Sequence, residues 1–535
     1  MVFIITIIAV WNSLLTVLLI WLAYVAVGLV DKFVVTPVRI KRIMNRQGVK
    51  GPQALWLLGN MPDILRLQRA EAEKDMKTGD YDTLSYILPF HTRSCQAYGK
   101  RYLWWFGWEP RITLTEPDLI KEVLTNKNGF YSKSKIQNRF VIEVLGKGLV
   151  TTTGEEWALH RQIVNPAFHQ EKLKAMVGAM VKCASSIADE WEMRVQHDGG
   201  CVELEVGDYM RYVTADIIAH TAFGSSYEKG RKVFDQQLKP KSPQASEFPY
   251  NTVPLLRFLC NFFGSLLPTP LNIQILKTQM TISMRDIIQS RRDMVNQAKN
   301  TSHGIDLLGL MLTAASEEIA LKGGKAQFGM QALIDNCKTF FLAGHETTAT
   351  LLTRTMMLLA SHTTWQESAR EEVTRVCGRG NRSIDTDMLN KLKTLNMILN
   401  ESLRLFSPLA IQTRQALRDA KLGDLDIPKG LSLHIPRPAV HLDPDLWGAD
   451  VLEFKPERFA DGVAKASKHP SAFIPFSLGP WFCVGQGFAL EEARSVLAVV
   501  LQRFRFHLSP NERHAPYLQF TVKPKYGVPV MLECL

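Results

Sequence analysis

The chain has 535 residues, 46% hydrophobic and 21% charged, proportions that exclude a disordered chain and a polytopic membrane protein. Its 34 Gly and 26 Pro exclude collagen-like and low-complexity classes. With 63 Lys and Arg against 52 Asp and Glu the net charge is +11, a mild excess that suits an anionic membrane surface or an acidic partner as well as nucleic acid.

Residues 1–30 contain no Asp, Glu, Lys or Arg and hold Ile4, Ile5, Leu18, Leu19, Ile20, Trp21 and Leu22. About 20 apolar residues span a bilayer core, so this run predicts a transmembrane helix. It has no charged leading region and no small-x-small cleavage site, which argues against a removed signal peptide. Lys32, Arg39, Lys41, Arg42, Arg46 and Lys50 follow, and a basic flank there places the rest of the chain on the cytoplasmic side. The competing reading is a buried core helix. From Gly48 to Pro62 turn formers accumulate. The expected organisation is an anchor over 1–30, a basic, Pro/Gly-containing linker over 31–52 and one body over 53–535. A single-pass protein of this orientation leaves the Asn-x-Ser triplets at Asn300 and Asn381 unglycosylated. The apolar run from Pro254 to Leu271 reads equally as a second membrane contact or as core. Eight cysteines, none spaced C-x-x-C, read as reduced thiols in a cytosolic body.

Within the body, helical spacing covers Pro117–Leu124 and Lys391–Leu405. A proline-free stretch from Met330 to His362 predicts a helix roughly 50 Å long. Thr364 with Glu367 has the form of a capping box that opens a helix through Val376. Strands are expected at Tyr102–Trp105, Arg111–Leu114 and Thr521–Leu532. No internal repeat is present. The fold class is mainly α (α+β): one large helical domain with a small β region.

Four segments carry chemistry. In Phe476-Ser-Leu-Gly479-Pro-Trp481-Phe-Cys483-Val-Gly485 a cysteine sits in a Gly-bounded loop that opens a helix from Gly487 to Leu501. The two glycines let backbone pass close to a flat ligand, and the helix N-terminus favours a thiolate. A thiolate so placed suits haem iron. A buried structural cysteine is the plain alternative. Mid-way along the long predicted helix stands Ala343-Gly344-His345-Glu346-Thr347-Thr348. Gly344 weakens the helical ladder there and Thr hydroxyls bond back to carbonyls, a local conflict typical of functional sites. His345-Glu346 begins H-E-x-x-H, but Ala349 holds the last position, so a zinc-protease site is excluded. Glu401-Ser-Leu-Arg404 puts an acid and a base on one helix face, and Phe454-Lys-Pro456-Glu457-Arg458-Phe459 follows.

Together, and in this order, the four segments resemble the cytochrome P450 family. The resemblance covers the whole body. It implies that Cys483 ligates the iron of haem b and that Glu346 and Thr347 deliver protons. It implies that Glu401, Arg404 and Arg458 form a buried supporting triad. Trp157 and Arg161 match the family's W-x-x-x-R, and Arg414 the position of another arginine on a haem propionate. Phe476, Gly479, Trp481 and Gly485 complete the haem loop. Trp481 departs from the pattern: the family has a propionate-binding Arg there. The segments from Thr36 to Pro52, Phe340 to Thr348, Leu422 to Gly430, Arg513 to Pro516 and Lys523 to Gly527 are similar to a plant clan of these enzymes. Within it they most resemble cytokinin trans-hydroxylases, which oxidise an isopentenyl side chain. The clan's brassinosteroid, gibberellin and terpenoid hydroxylases are the alternatives, and a non-catalytic haem-binding membrane protein is the alternative of another class. Gly485-Gln-Gly487 starts a dinucleotide-like pattern that ends in Leu490, so electrons come from a separate protein. The implied partners are NADPH–cytochrome P450 reductase, a small-molecule substrate and the endoplasmic reticulum membrane, with no nucleic acid.

Overall fold

An uncharged apolar run leaves a helix unbroken, and Val2–Val30 form one, α1. The computed structural model describes residues 2–77, 79–134, 141–224, 271–297, 304, 306–322, 328–378 and 384–535. The apolar run over 254–270 and both Asn-x-Ser triplets lie outside these residues. Trp11, Leu14, Leu18 and Trp21 are exposed, and Trp11–Arg46 contains a stretch long and apolar enough to cross a membrane, unburied by protein. The helix does not stop where its charges begin. A π turn over Asp31–Val35 leads directly into α2, Thr36–Arg46. The expected linker is therefore helical over most of its length. The reason is amphipathic spacing: Ile40 and Met44, one turn apart, are both buried against the body. Gln47 then exchanges two hydrogen bonds with the Asp426 backbone, at 3.0 and 2.6 Å.

After helices over Met61–Ala72, Thr83–Ile87 and Pro89–Tyr98, the body continues with β1 (Leu103–Phe106), β2 (Glu109–Thr113), α3 (Pro117–Thr125) and β3 (Tyr131–Lys133). Next come α4 (Gly154–Val164), α5 (Gln170–His197), β4 (Cys201–Glu205) and α6 (Val206–Phe223). The proline-free stretch forms α7, Met330–Ser361, followed by α8 (Thr363–Cys377) and α9 (Lys393–Leu405). Strands β5 (Ile411–Ala416) and β6 (Ser432–Pro436) precede α10 (Gln486–Arg503) and β7 (Phe504–Leu508). The chain finishes with β8 (Pro516–Leu518), β9 (Val522–Pro524) and β10 (Pro529–Cys534).

One sheet has the order β1-β2-β6-β5-β3, antiparallel except for the β2–β6 pair. Another has the order β4-β10-β7, and β8 pairs with β9 as a hairpin. The mixed helix-dominated fold class holds. Two local expectations fail. The single strand over Thr521–Leu532 is two strands in different sheets, because Pro524 and Pro529 lack N–H donors and Gly527, at φ +76°, turns the chain between them. The capping box does not form: α8 starts two residues early, at Thr363, with His362 rather than Thr364 at its cap and no side-chain cap bond. Glu367 pairs with Arg370 instead.

The core is helix on helix. α6 packs along α7, and α10 along α5. Gly344 serves this contact: a Cβ there would lie 3.0 Å from Ile218 Cδ1 on α6. Thr214 Oγ1 of α6 also donates to the His345 carbonyl at 3.1 Å. The glycine is thus used for close approach of two helices, and α7 continues through it without a break.

Deleting residues 2–30 is expected to shift the protein from the membrane to the soluble fraction without changing thermal unfolding of the body. Met44→Ala in the full chain is expected to lower stability by about 2–5 kcal/mol, the usual cost of emptying a buried site. An unchanged Tm for that variant would mean that α2 is not part of the body.

Candidate active site

Cys483 sits on a loop closed by its own backbone. The Cys483 N–H donates to the Phe476 carbonyl at 2.9 Å, Phe482 N–H to the Gly479 carbonyl at 3.1 Å, and Ser477 N–H to the Ile474 carbonyl at 3.1 Å. Two residues have positive φ: Gly479 at +72° and, without the freedom of glycine, Ser477 at +66°. A Cβ at Gly479 would lie 2.1 Å from the Leu124 carbonyl oxygen of α3, so glycine is required twice over. At Gly485 a Cβ would meet, among the described residues, only Cys483 Sγ and Phe168, each at 3.9 Å. The Cys483 side chain is accessible, yet burial is the largest influence on its thiol and pushes it up. The Gly485 N–H and the guanidiniums of Arg161 and Arg437 oppose that and favour thiolate. An accessible group this deep in the fold lines a cleft.

The cleft's rim is aromatic and cationic. Trp481 meets Trp157 of α4 edge-on at 6.0 Å, and the Arg414 guanidinium of β5 stands 4.7 Å over its indole. Arg161, one helical turn after Trp157, donates to the Phe482 carbonyl at 3.0 Å and stacks 4.6 Å over the Phe482 ring. Trp157, Arg161, Arg414 and the Cys483 loop are therefore in one place. Among the described residues no carboxylate pairs with Arg161 or Arg414. Burial, and then the charge of Arg437, lowers Arg414 to about 10, and its Nε has no partner.

No hydrogen bond joins the side chains of Glu346 and Thr347. The Thr347 hydroxyl donates to the Ala343 carbonyl at 2.7 Å, one turn back. Glu346 is buried and faces the β8–β9 hairpin. Its Oε1 accepts from Thr521 Oγ1 at 3.0 Å and pairs with Lys523 Nζ at 2.5 Å, while Oε2 has no partner. Burial favours the neutral acid, but Lys523 and His345 outweigh it and hold the carboxyl below its ordinary range. Lys523 and Thr521 were not singled out from sequence as partners of Glu346. Their available signal was alternation: Thr521 and Lys523, two residues apart on a strand, share a face.

Glu401 and Arg404 are both fully buried, which excludes a solvated pair. Arg404 Nε and Nη2 each donate to the carboxylate at 2.7 Å, a bidentate arrangement. Arg404 also donates to the carbonyls of His441 (3.0 Å) and Val451 (2.7 Å). Arg458 approaches Glu401 at 3.5 Å and pairs with Asp450 at 2.8 Å. The three charges thus form one cluster. Glu401→Ala would strand a buried guanidinium and is expected to cost about 3–5 kcal/mol in urea unfolding. The double variant Glu401→Ala, Arg404→Leu should recover part of that loss. A single variant as stable as the parent would mean that the cluster does not hold the fold.

The family profile described as Cytochrome P450 matches residues 86–529. A cytokinin hydroxylase of Arabidopsis thaliana is 41% identical over 528 residues, covering 98% of each chain. A second Arabidopsis cytokinin hydroxylase is 41% identical over 94% of each chain. Cytochrome P450 CYP72A616 of Paris polyphylla is 39% identical over 93% of this chain and 94% of its own. A deep cysteine on a Gly-turned loop, a rim of unpaired cations and an acid on a long central helix agree with the match: the chain belongs to the cytochrome P450 family, as a plant-type haem-thiolate monooxygenase that takes electrons from a redox partner.

Proposed function

We propose that this monooxygenase hydroxylates the isopentenyl side chain of an adenine-type cytokinin at the endoplasmic reticulum membrane, with electrons from NADPH passed by NADPH–cytochrome P450 reductase. The observation that carries the substrate class is the 41% identity to a cytokinin hydroxylase across 98% of both chains. The prosthetic group would be haem b, with Cys483 holding its iron. The residues present fit it: an accessible, deeply placed thiol favoured as thiolate by nearby cations, and a buried Arg414 Nε with no acceptor, suit an iron and a propionate carboxylate. Thiolate-ligated haem iron supplies the activation of dioxygen and the transfer of one oxygen atom to a C–H bond.

The chain's own residues do the rest. Arg161 and Arg414, with Trp481 packed against Trp157 and Arg414, would orient the group's charged edge. Lys523 and Thr521 hold Glu346 ionised, which leaves Oε2 as a free proton acceptor inside a water-poor site. Protons enter from the Lys523 side, pass Glu346 and leave toward the face of α7 that carries Thr347. The Thr347 hydroxyl rests on the Ala343 carbonyl and keeps its oxygen lone pairs for the relay. Glu401, Arg404 and Arg458 support the loop from behind.

Product analysis tests the substrate class. Membranes carrying the protein and added reductase are supplied with isopentenyladenine nucleotides beside brassinosteroid, gibberellin and terpenoid panels. Hydroxylated nucleotide is the expected product. Turnover of another panel without it would overturn the assignment. Thr347→Ala tests the relay: NADPH consumption should persist while product per NADPH falls, toward the ~10²-fold effect of a single positioned proton-transfer group. Unchanged coupling would confine Thr347 to its helix bond.

A further inference from the structure

Arg437 is a buried cation with a braced side chain and, among the described residues, no carboxylate partner. It follows β6 as the first residue of a short helix, Arg437–His441, and is 5% exposed. Its Nη1 donates to the Leu409 carbonyl at 2.8 Å and its Nη2 to Gln412 Oε1 at 2.9 Å, while Nε has no partner. The Gln412 amide donates in turn to Ser477 Oγ at 2.8 Å. Ser477 is the strained positive-φ residue of the Cys483 loop. Arg437 is thus tied through one side chain to the loop that carries the thiolate. Arg414 lies two residues beyond Gln412 on β5, hence on the same sheet face.

Among the described residues no carboxylate pairs with Arg437, Arg414 or Arg161. Lys133 sits opposite Arg414 in the β3–β5 register, but its ammonium is spent on the carbonyls of Leu149 (3.0 Å) and Thr152 (2.8 Å). Arg404 shows the contrast, since its equally buried guanidinium has Glu401. An uncompensated buried charge is expensive, and burial lowers Arg437 to about 10. Such a charge persists where an anion arrives from outside the chain. Trp481 bears on this directly. It brings no charge of its own and instead holds Arg414 against its indole, so the cation missing at 481 has to come from another element.

We infer that Arg437 supplies that cation: with Arg414 it binds the propionate carboxylates of the haem, and Gln412 and Ser477 position it. The inference rests on the haem-thiolate reading and assigns the charge that Trp481 leaves out.

The test is haem retention, read without turnover. Purified holoprotein is mixed with excess apomyoglobin and haem release is timed. The same is done after reconstitution with haem dimethyl ester, which lacks both carboxylate charges. The parent chain should release the ester faster than haem. Arg437→Gln should release haem at least about tenfold faster than the parent, the worth of one hydrogen bond to a charged group, and the ester at the parent's rate. Equal haem release from Arg437→Gln and parent would overturn the inference. So would equal acceleration for haem and ester, which marks a general loosening of the cleft. If Arg437→Gln fails to fold by circular dichroism, the parent decides: equal release of haem and ester excludes propionate recognition by these cations. A parent chain that takes up no haem would instead remove the underlying haem-thiolate reading.

Discussion

The buried pairing of Glu401 with Arg404 is the contact from which the cysteine loop is built outward. Arg404 donates to the His441 carbonyl, and the neutral His441 ring accepts the Ile474 N–H at Nε2, 3.0 Å away. That bond assigns the ring proton to Nδ1, which faces Ser407 Oγ at 3.2 Å. Burial, Arg437 and Arg404 lower His441 to about 3, so the ring stays neutral and keeps its acceptor. Ile474 then accepts from Ser477, and the loop closes on Phe476. The bonds through Arg404, His441 and Ile474 join fully buried groups, where a missing partner costs more than the bond itself contributes. A helix at 393–405 thereby controls the position of a thiol some 80 residues downstream in the sequence.

Electrostatics divides the interior into two regimes. Around Glu401 charges are matched within the chain, with Arg404, Arg458, Asp450 and Lys455 in one network. Around Cys483 they are not: Arg161 and Arg437 face a single potential anion, and Arg414 feels Arg437 rather than an acid. The first arrangement stabilises an empty fold. The second would be stabilised by any anionic ligand that binds there, through the linkage of binding to stability.

Elements carried by periodicity or by short motifs were legible in the sequence. The helix α7 ends within one residue of its expected limit, because 32 residues with no proline leave a single outcome. Trp157, Arg161 and Arg414 meet the Cys483 loop, and Glu401, Arg404 and Arg458 meet one another. Features that depend on distant partners were not legible. Nothing near Glu346 announces Lys523, which arrives from the final hairpin. The strand run over 521–532 was misread because two prolines and a glycine act through backbone chemistry that alternation does not register. The role of 31–46 was hidden by its charges, whose exposed face disguised the buried pair Ile40 and Met44. Arg437 left a trace, a lone charge between Pro436 and Pro438 in an apolar stretch, but among the described residues no carboxylate is its counterpart.

A helix that runs on from Val2 to Arg46 is a lever, not a tether. From Asp31 to Arg46 it advances about 24 Å at 1.5 Å per residue. A flexible linker would let the body tumble above the lipid. A rod clamped through Ile40, Met44 and Gln47 passes the tilt of the bilayer on to the sheet beside β2. The height and facing of the body then follow from residue count alone, and one inserted residue would swivel it by about 100° around the rod. Apolar compounds dissolved in the bilayer would meet the same side of the enzyme each time.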